Sequence, residues 1–209
     1  MLKVNLGCGL SVVDNWINLD GSPTVRLQKS TVLGFFFRAV LKPRFPSEVN
    51  YGDVTRGLPL ASGSVDLLYS SHMLEHLSLE GFWLALGEIQ RVLKPGGVFR
   101  AVIPDLEASI SDYFANTNAN ANTQFLQDTL LGIEKRPNSV WANCRSLFGN
   151  TNHLWMWDYK GIEEELKSAG FSEISRAEYN DSKIIDFSEV EDSGRWHNCL
   201  GFQCAKSHE

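Results

Sequence analysis

Short apolar runs, most of them closed by glycine or an acid, punctuate the first half of the chain. Residues 2–6 run into Gly7-Cys8-Gly9, and residues 16–19 end on Asp20-Gly21. Residues 49–54 finish on Gly52-Asp53-Val54, and residues 65–70 lead into Ser71-His72. Runs of this length bounded by turn residues predict buried strands. Farther on, Phe82, Leu86, Ile89 and Leu93 recur at helical spacing until Lys94-Pro95-Gly96-Gly97 stops the helix, and residues 98–103 read as a fifth strand ending at Pro104-Asp105. Strands alternating with helices wind a parallel sheet through right-handed crossovers.

Elsewhere the pattern is weaker. Residues 22–47 set Val32-Leu33-Gly34-Phe35-Phe36-Phe37 among Arg26, Lys29, Arg38, Lys42 and Arg44, with Pro43 and Pro46 behind. A helix over 31–41 is predicted, a crossover packing its phenylalanines on the sheet in preference to a lid or membrane-surface role. After Asp105 some fifty residues read as irregular, and the alanine-asparagine-threonine run 115–122 as a mobile loop. Asp158 is placed to cap a helix with Tyr159, Ile162, Leu166 and Ala169 on one face and Gly170 at its end. Residues 171–179 and 197–205 read as closing strands, and the charged stretch 180–196 between them as a solvated loop.

Composition narrows the class. With 209 residues, 43% hydrophobic and 21% charged, the chain suits one soluble domain with a single core. A net charge of −6 argues against general nucleic-acid binding. Cys8, Cys144, Cys199 and Cys204 show no Cys-x-x-Cys spacing and are expected as reduced thiols, with Cys199 and Cys204 facing opposite sides of one strand. Glycines break the first apolar run, so no signal peptide is read, and no stretch approaches the ~20 apolar residues of a transmembrane segment. A cytoplasmic protein is expected; oligomeric state is not legible.

Candidate chemistry gathers at the first two strand ends. Glycine after a strand accepts positive φ and lets a ligand approach the main chain, and an acid at the neighbouring strand tip can accept hydrogen bonds from both vicinal hydroxyls of a ribose. The dinucleotide fingerprint is incomplete, because Val12 stands where its third glycine belongs and Asp20 follows Gly9 by only 11 positions. A pyrophosphate needs the helix N-terminus of a longer crossover, whereas a nucleoside without phosphate does not. The short unit favours S-adenosylmethionine over NAD or FAD. His72-Met73-Leu74-Glu75-His76 fits a zinc-protease spelling, but His72 lies at a strand-to-helix junction and no third ligand is evident, so no metal is expected.

Several segments resemble, in order and spacing, class I S-adenosylmethionine-dependent methyltransferases, above all the type 11 methyltransferase domain. They are Val4-Asn5-Leu6-Gly7-Cys8-Gly9, the pair Gly52-Asp53, Leu58-Pro59-Leu60 followed by Ser64-Val65-Asp66-Leu67-Leu68, the Leu74-Glu75-His76 triplet and Arg91-Val92-Leu93-Lys94-Pro95-Gly96-Gly97. The resemblance covers most of residues 2–105 and continues more weakly from His153-Leu154-Trp155-Met156-Trp157-Asp158 to Ala169-Gly170-Phe171. It implies an α/β fold, a Rossmann-like three-layer sandwich with a mostly parallel seven-stranded sheet and an antiparallel last strand. The implied activity is methyl transfer from S-adenosylmethionine to a small-molecule or sugar-like acceptor. The alternatives are a non-catalytic S-adenosylmethionine-binding protein and, disfavoured by the short crossover, a nicotinamide-dependent oxidoreductase.

On that reading Leu6, Gly7, Cys8 and Gly9 take the amino-acid end of the cofactor, Asp20 and Gly21 the ribose, and Asp53 and Val54 the adenine edge. Ser70, Ser71 and His72 lie beside the methionine end, while His76 packs into the helix–sheet interface. Candidates for a base are His72, Asp105 and His153. The chain is one domain over 1–209, with residues 105–157 as an acceptor-side insertion in which Trp141, Trp155 and Trp157 offer flat walls.

Overall fold

In the computed structural model, which describes residues 1–32, 34–133 and 152–208, the apolar runs become β1 (Lys3–Leu6), β2 (Ile17–Asp20), β3 (Val49–Tyr51), β4 (Val65–Ser71) and β5 (Leu93–Pro104). With β6 (Phe171–Ala177) and β7 (Cys199–Lys206) they form one seven-stranded sheet in the order β3-β2-β1-β4-β5-β7-β6. The first five strands pair in parallel, and β7 runs antiparallel to both of its neighbours. This is the expected α/β sheet with its antiparallel last strand. Strand order reverses between β1 and β4, so the C-terminal ends there splay apart into a crevice.

One face of the sheet is covered as the helical spacing predicts. In α3 (Leu79–Val92), Ser78 Oγ accepts the Gly81 N–H at 3.1 Å, and Phe82, Ala85, Leu86, Ile89 and Val92 are buried. In α6 (Tyr159–Ser168), Asp158 Oδ1 accepts the Gly161 N–H at 2.7 Å, and Ile162 and Leu166 are buried. These stripes meet Val4, Leu6, Leu68, Phe99 and Phe202 in the main core. Side chains alternate along a strand, so Lys3 and Asn5 point to the other face. Cys204 likewise joins the main core while Cys199 packs on the opposite side.

That other face corrects an expectation. Only turns connect β1 to β2, so no crossover helix covers it there. Its cover comes from the charged stretch read as a solvated loop, folded into the short 3-10 turns Ile185–Glu189 and Ser193–Arg195. Phe187 and Trp196 are buried against Trp16, Leu67, Tyr69 and Val102. The acids of this stretch serve two cations on the sheet. Lys3 Nζ meets Asp186 at 2.9 Å and Glu189 at 2.7 Å, and Arg100 pairs with Glu191 and Asp181. Charge composition concealed this because the partners lie on distant strands.

Two further segments differ from the pattern reading. Residues 22–47 hold two helices, α1 (Pro23–Gln28), capped by Ser22, and α2 (Gly34–Val40). Two of the phenylalanines do not pack on the sheet: Phe35 is 92% and Phe36 58% exposed. A Cβ on Gly34 would lie 2.8 Å from the Gln28 carbonyl oxygen, so α2 docks on α1 through that glycine and turns these two aromatics outward. Val25, Phe45 and Val49 supply the small core beneath. Beyond Asp105 the chain is helical, not irregular, in α4 (Leu106–Ala115) and α5 (Ala121–Asp128). Between them the Asn116 amide donates to Gln124 at 3.0 Å and its carbonyl accepts from the Asn118 N–H at 3.0 Å, organising the polar run. Trp141 and Cys144 lie outside the described residues. Among the described residues no helix is long and apolar enough to cross a membrane.

Candidate functional site

The C-terminal ends of β1 to β4 open into one cavity of about 440 Å³. At its floor β1 hands over to Gly7, whose φ of +69° suits glycine. A Cβ there would lie 2.5 Å from Met73 Cγ, so the turn and the segment after β4 close on each other only without a side chain. The Gly7 N–H donates to the Leu19 carbonyl at 2.8 Å, tying the turn to β2. Asp20 ends β2 with its carboxylate fixed at the mouth: Oδ2 accepts the Gly9 N–H at 3.1 Å and Oδ1 the Ser22 N–H at 2.9 Å. Each oxygen keeps lone-pair capacity for a ligand. Asp53 Oδ1 accepts from the Thr55 N–H at 3.0 Å and hydroxyl at 2.7 Å.

Among the expected site residues, Leu6, Gly7, Gly9 and Asp20 line this cavity from β1 and β2. Gly21, Asp53, Val54 and His72 complete its expected lining. Cys8 and Ser71 border a smaller neighbouring cavity instead. The Cys8 thiol is buried, which pushes its pKa up to about 12 and leaves it a poor nucleophile. Ser70 is 1% exposed and does not line the cavity. Asp105 is placed elsewhere too, its Oδ1 capping α4 by accepting the Glu107 N–H at 2.8 Å. His153 is buried behind Glu75, and burial draws its imidazole pKa down.

His72 leaves β4 with φ +49°, its N–H donating to the Val102 carbonyl at 2.9 Å. Nε2 lies 2.8 Å from the Arg195 carbonyl oxygen, and Nδ1 3.4 Å from Glu75 Oε1. The Cys199 thiol, 3.7 Å away, and the Glu75 carboxylate push its pKa up to about 10 against the effect of burial. His76 does not pack away in the helix–sheet interface; it lines the cavity beside Met73 and Leu77. Trp157 packs against Phe82 at a tilt, with centroids 4.6 Å apart, and belongs to the core, whereas Trp155 is 41% exposed.

Arg195 escaped the sequence reading. It lines the cavity, and its Nη1 donates to the Ser71 carbonyl at 3.1 Å. The available signal was Phe187 and Trp196 inside an otherwise charged run, since two large aromatics there point to a segment that docks.

The chemistry of this lining fits a nucleoside better than a pyrophosphate. The carboxylate-bearing residues Asp20 and Asp53 line the space, no helix N-terminus points into it from the β1–β2 turn, and the volume falls in the range of small-ligand pockets.

Residues 4–101 match a family model described as Methyltransferase domain. No curated protein matches the sequence. Among solved structures the chain is similar to an S-adenosylmethionine-dependent methyltransferase, possible histamine N-methyltransferase, from Thermotoga maritima. That match has 16% identity and a TM-score of 0.54, covering 99% of this chain and 82% of the other. It is also similar to an S-adenosylmethionine-dependent methyltransferase from Archaeoglobus fulgidus, at 12% identity and a TM-score of 0.50, covering 98% and 86%. At these identities the structures speak to the fold alone, and the family match over the glycine turn and both strand-end acids carries the activity. Residues 4–101 therefore carry a methyltransferase domain, on a fold that the whole chain shares with S-adenosylmethionine-dependent methyltransferases.

Proposed function

We propose that the cavity holds S-adenosylmethionine with its ribose on Asp20, its adenine edge beside Asp53 and Val54, and its amino-acid end along the turn from Gly7 to Gly9. The observation that carries this is the Asp20 carboxylate, held at the cavity mouth by two backbone N–H groups and still able to accept from a diol. Calorimetric titration with S-adenosylhomocysteine tests it. Asp20→Ala is expected to bind at least tenfold more weakly than wild type, about 1.4 kcal/mol; equal affinities remove Asp20 from the site.

The acceptor on this reading is a small molecule or a sugar-like compound entering from the side of residues 152–157. A net charge of −6 disfavours a polyanionic acceptor, and half-exposed Trp155 offers a flat wall to a ring. When bound, the cofactor supplies a methyl group already activated on a sulfonium, which leaves alignment as the main task of the protein. Gly7 and Met73 shape the floor against which the donor lies. His72, through its contact with the Arg195 carbonyl, holds that residue in the wall and acts as a positioning residue. Asp105 and His153 lie outside the cavity lining, so His72 is the nearest of the three candidates to the reacting groups. A positioning role predicts that His72→Asn retains more affinity for S-adenosylhomocysteine than His72→Ala; equal losses in both would overturn it.

A further inference from the structure

Glu75 is the anomaly of the interior. Its side chain is 1% exposed, yet neither carboxylate oxygen has a hydrogen-bond partner among the described residues. A buried carboxylate is costly unless a positive group sits with it. Imidazoles surround it: from Glu75 Oε1, His72 Nδ1 lies at 3.4 Å and His153 Nε2 at 3.9 Å. The ring of His76 meets that of His153 edge-on, with centroids 5.1 Å apart. One donor atom from each of Glu75, His76 and His153 lies within 4.8 Å of the others, a spacing that side-chain rotation can close around an ion with bonds of about 2.0–2.2 Å.

The surroundings hold these groups in place. His76 Nδ1 lies 3.0 Å from the Asn152 carbonyl oxygen, an outer contact of the kind that orients a ligating ring. The Glu75 carbonyl accepts the N–H groups of Leu154 at 2.7 Å and Trp155 at 3.2 Å, and the His153 N–H donates to the Leu130 carbonyl at 3.1 Å. The sequence offered no third ligand to His76 and Glu75. The fold supplies one from far downstream.

We propose that Glu75, His76 and His153 bind a divalent transition-metal cation in the wall of the cofactor cavity. Two imidazoles and one carboxylate suit a borderline ion such as Zn²⁺ and leave at least one coordination position open. Because His76 also lines the cavity, that open position takes an oxygen of the acceptor, so the acceptor class is a hydroxyl or enol compound. This second half rests on the methyltransferase reading. The cation lowers the pKa of the O–H group, its proton leaves to solvent, and an oxygen lone pair forms the new bond to the methyl carbon. The C–S bond breaks with its electron pair remaining on sulfur.

The test is titration of tag-free, chelator-treated protein with Zn²⁺ by calorimetry and with Co²⁺ by visible d–d absorption. Wild type is expected to take up one equivalent, with binding at least tenfold weaker in Glu75→Gln and in His153→Ala, and with Co²⁺ bands that shift on adding acetohydroxamate, a bidentate oxygen ligand. Absence of stoichiometric binding by wild type, or binding unchanged in both variants, overturns the site. Bands indifferent to acetohydroxamate overturn the oxygen-acceptor half. If a variant fails to fold by circular dichroism, the wild-type stoichiometry and the other variant decide. Asp20→Ala separates the two readings: it is expected to lose S-adenosylhomocysteine affinity and keep the cation. Loss of both together would overturn their separation.

Discussion

Arg100 is the residue that most depends on its surroundings. It sits on the interior strand β5, 1% exposed, with the Glu191 side chain beside it equally enclosed and Asp181 at 2.7 Å. Its guanidinium also donates to the Glu178 carbonyl at 2.7 Å and lies over the Trp196 ring at 4.9 Å. Building such a pair offers little net stability, but breaking it leaves a buried charge uncompensated. Arg100→Leu is therefore expected to cost roughly 3–5 kcal/mol, read from urea unfolding of variant and wild type. A loss below about 1 kcal/mol would mean that Glu191 finds water or another partner.

At the scale of elements, α2 and α3 show how much an identical aromatic depends on the face that carries it. Phe82 on α3 is fully buried and meets Trp157, whereas Phe35 on α2 projects into solvent. Phe82→Ala should cost about 3–5 kcal/mol through lost burial and the cavity left behind, and Phe35→Ser should stay within roughly ±0.5 kcal/mol. Thermal unfolding of both variants checks the contrast, and comparable losses would place Phe35 against the body of the protein. Neither α2 nor its phenylalanines line the cavity at the strand ends, which among the described residues takes only Ser22 and Pro23 from the stretch 22–47.

For the whole molecule, the stretch between β6 and β7 joins stability to the site. It replaces the missing crossover cover on one sheet face through Phe187 and Trp196, and it brings Arg195 to the cavity wall, where the backbone of that residue meets His72. Phe187→Ala is expected to lower stability by about 3–5 kcal/mol and also to weaken S-adenosylhomocysteine binding, though Phe187 is outside the cavity. Urea unfolding and calorimetry on the folded variant measure the two effects. Undiminished affinity would show that Arg195 holds its place independently of the layer behind it.

The sheet and one side of the cavity were legible without coordinates because their signals are local. Apolar runs of strand length, the glycine turn after β1 and an acid at the end of β2 act within a few residues, and the same near-neighbour geometry governs them in the folded chain. The α3 and α6 stripes were legible for the same reason, through helical spacing and a capping side chain. What the tertiary structure alone decided depends on contacts between distant segments. A charged run became a core layer because Lys3 and Arg100, on separate strands, supply its counter-charges. Phe35 and Phe36 of α2 turned outward because Gly34 permits close docking on α1. His153 reached Glu75 and His76 because backbone hydrogen bonds bring residues 153–155 against the turn after β4. Periodicity can report which face of an element is apolar, but which distant partner meets that face is settled only when the chain closes on itself.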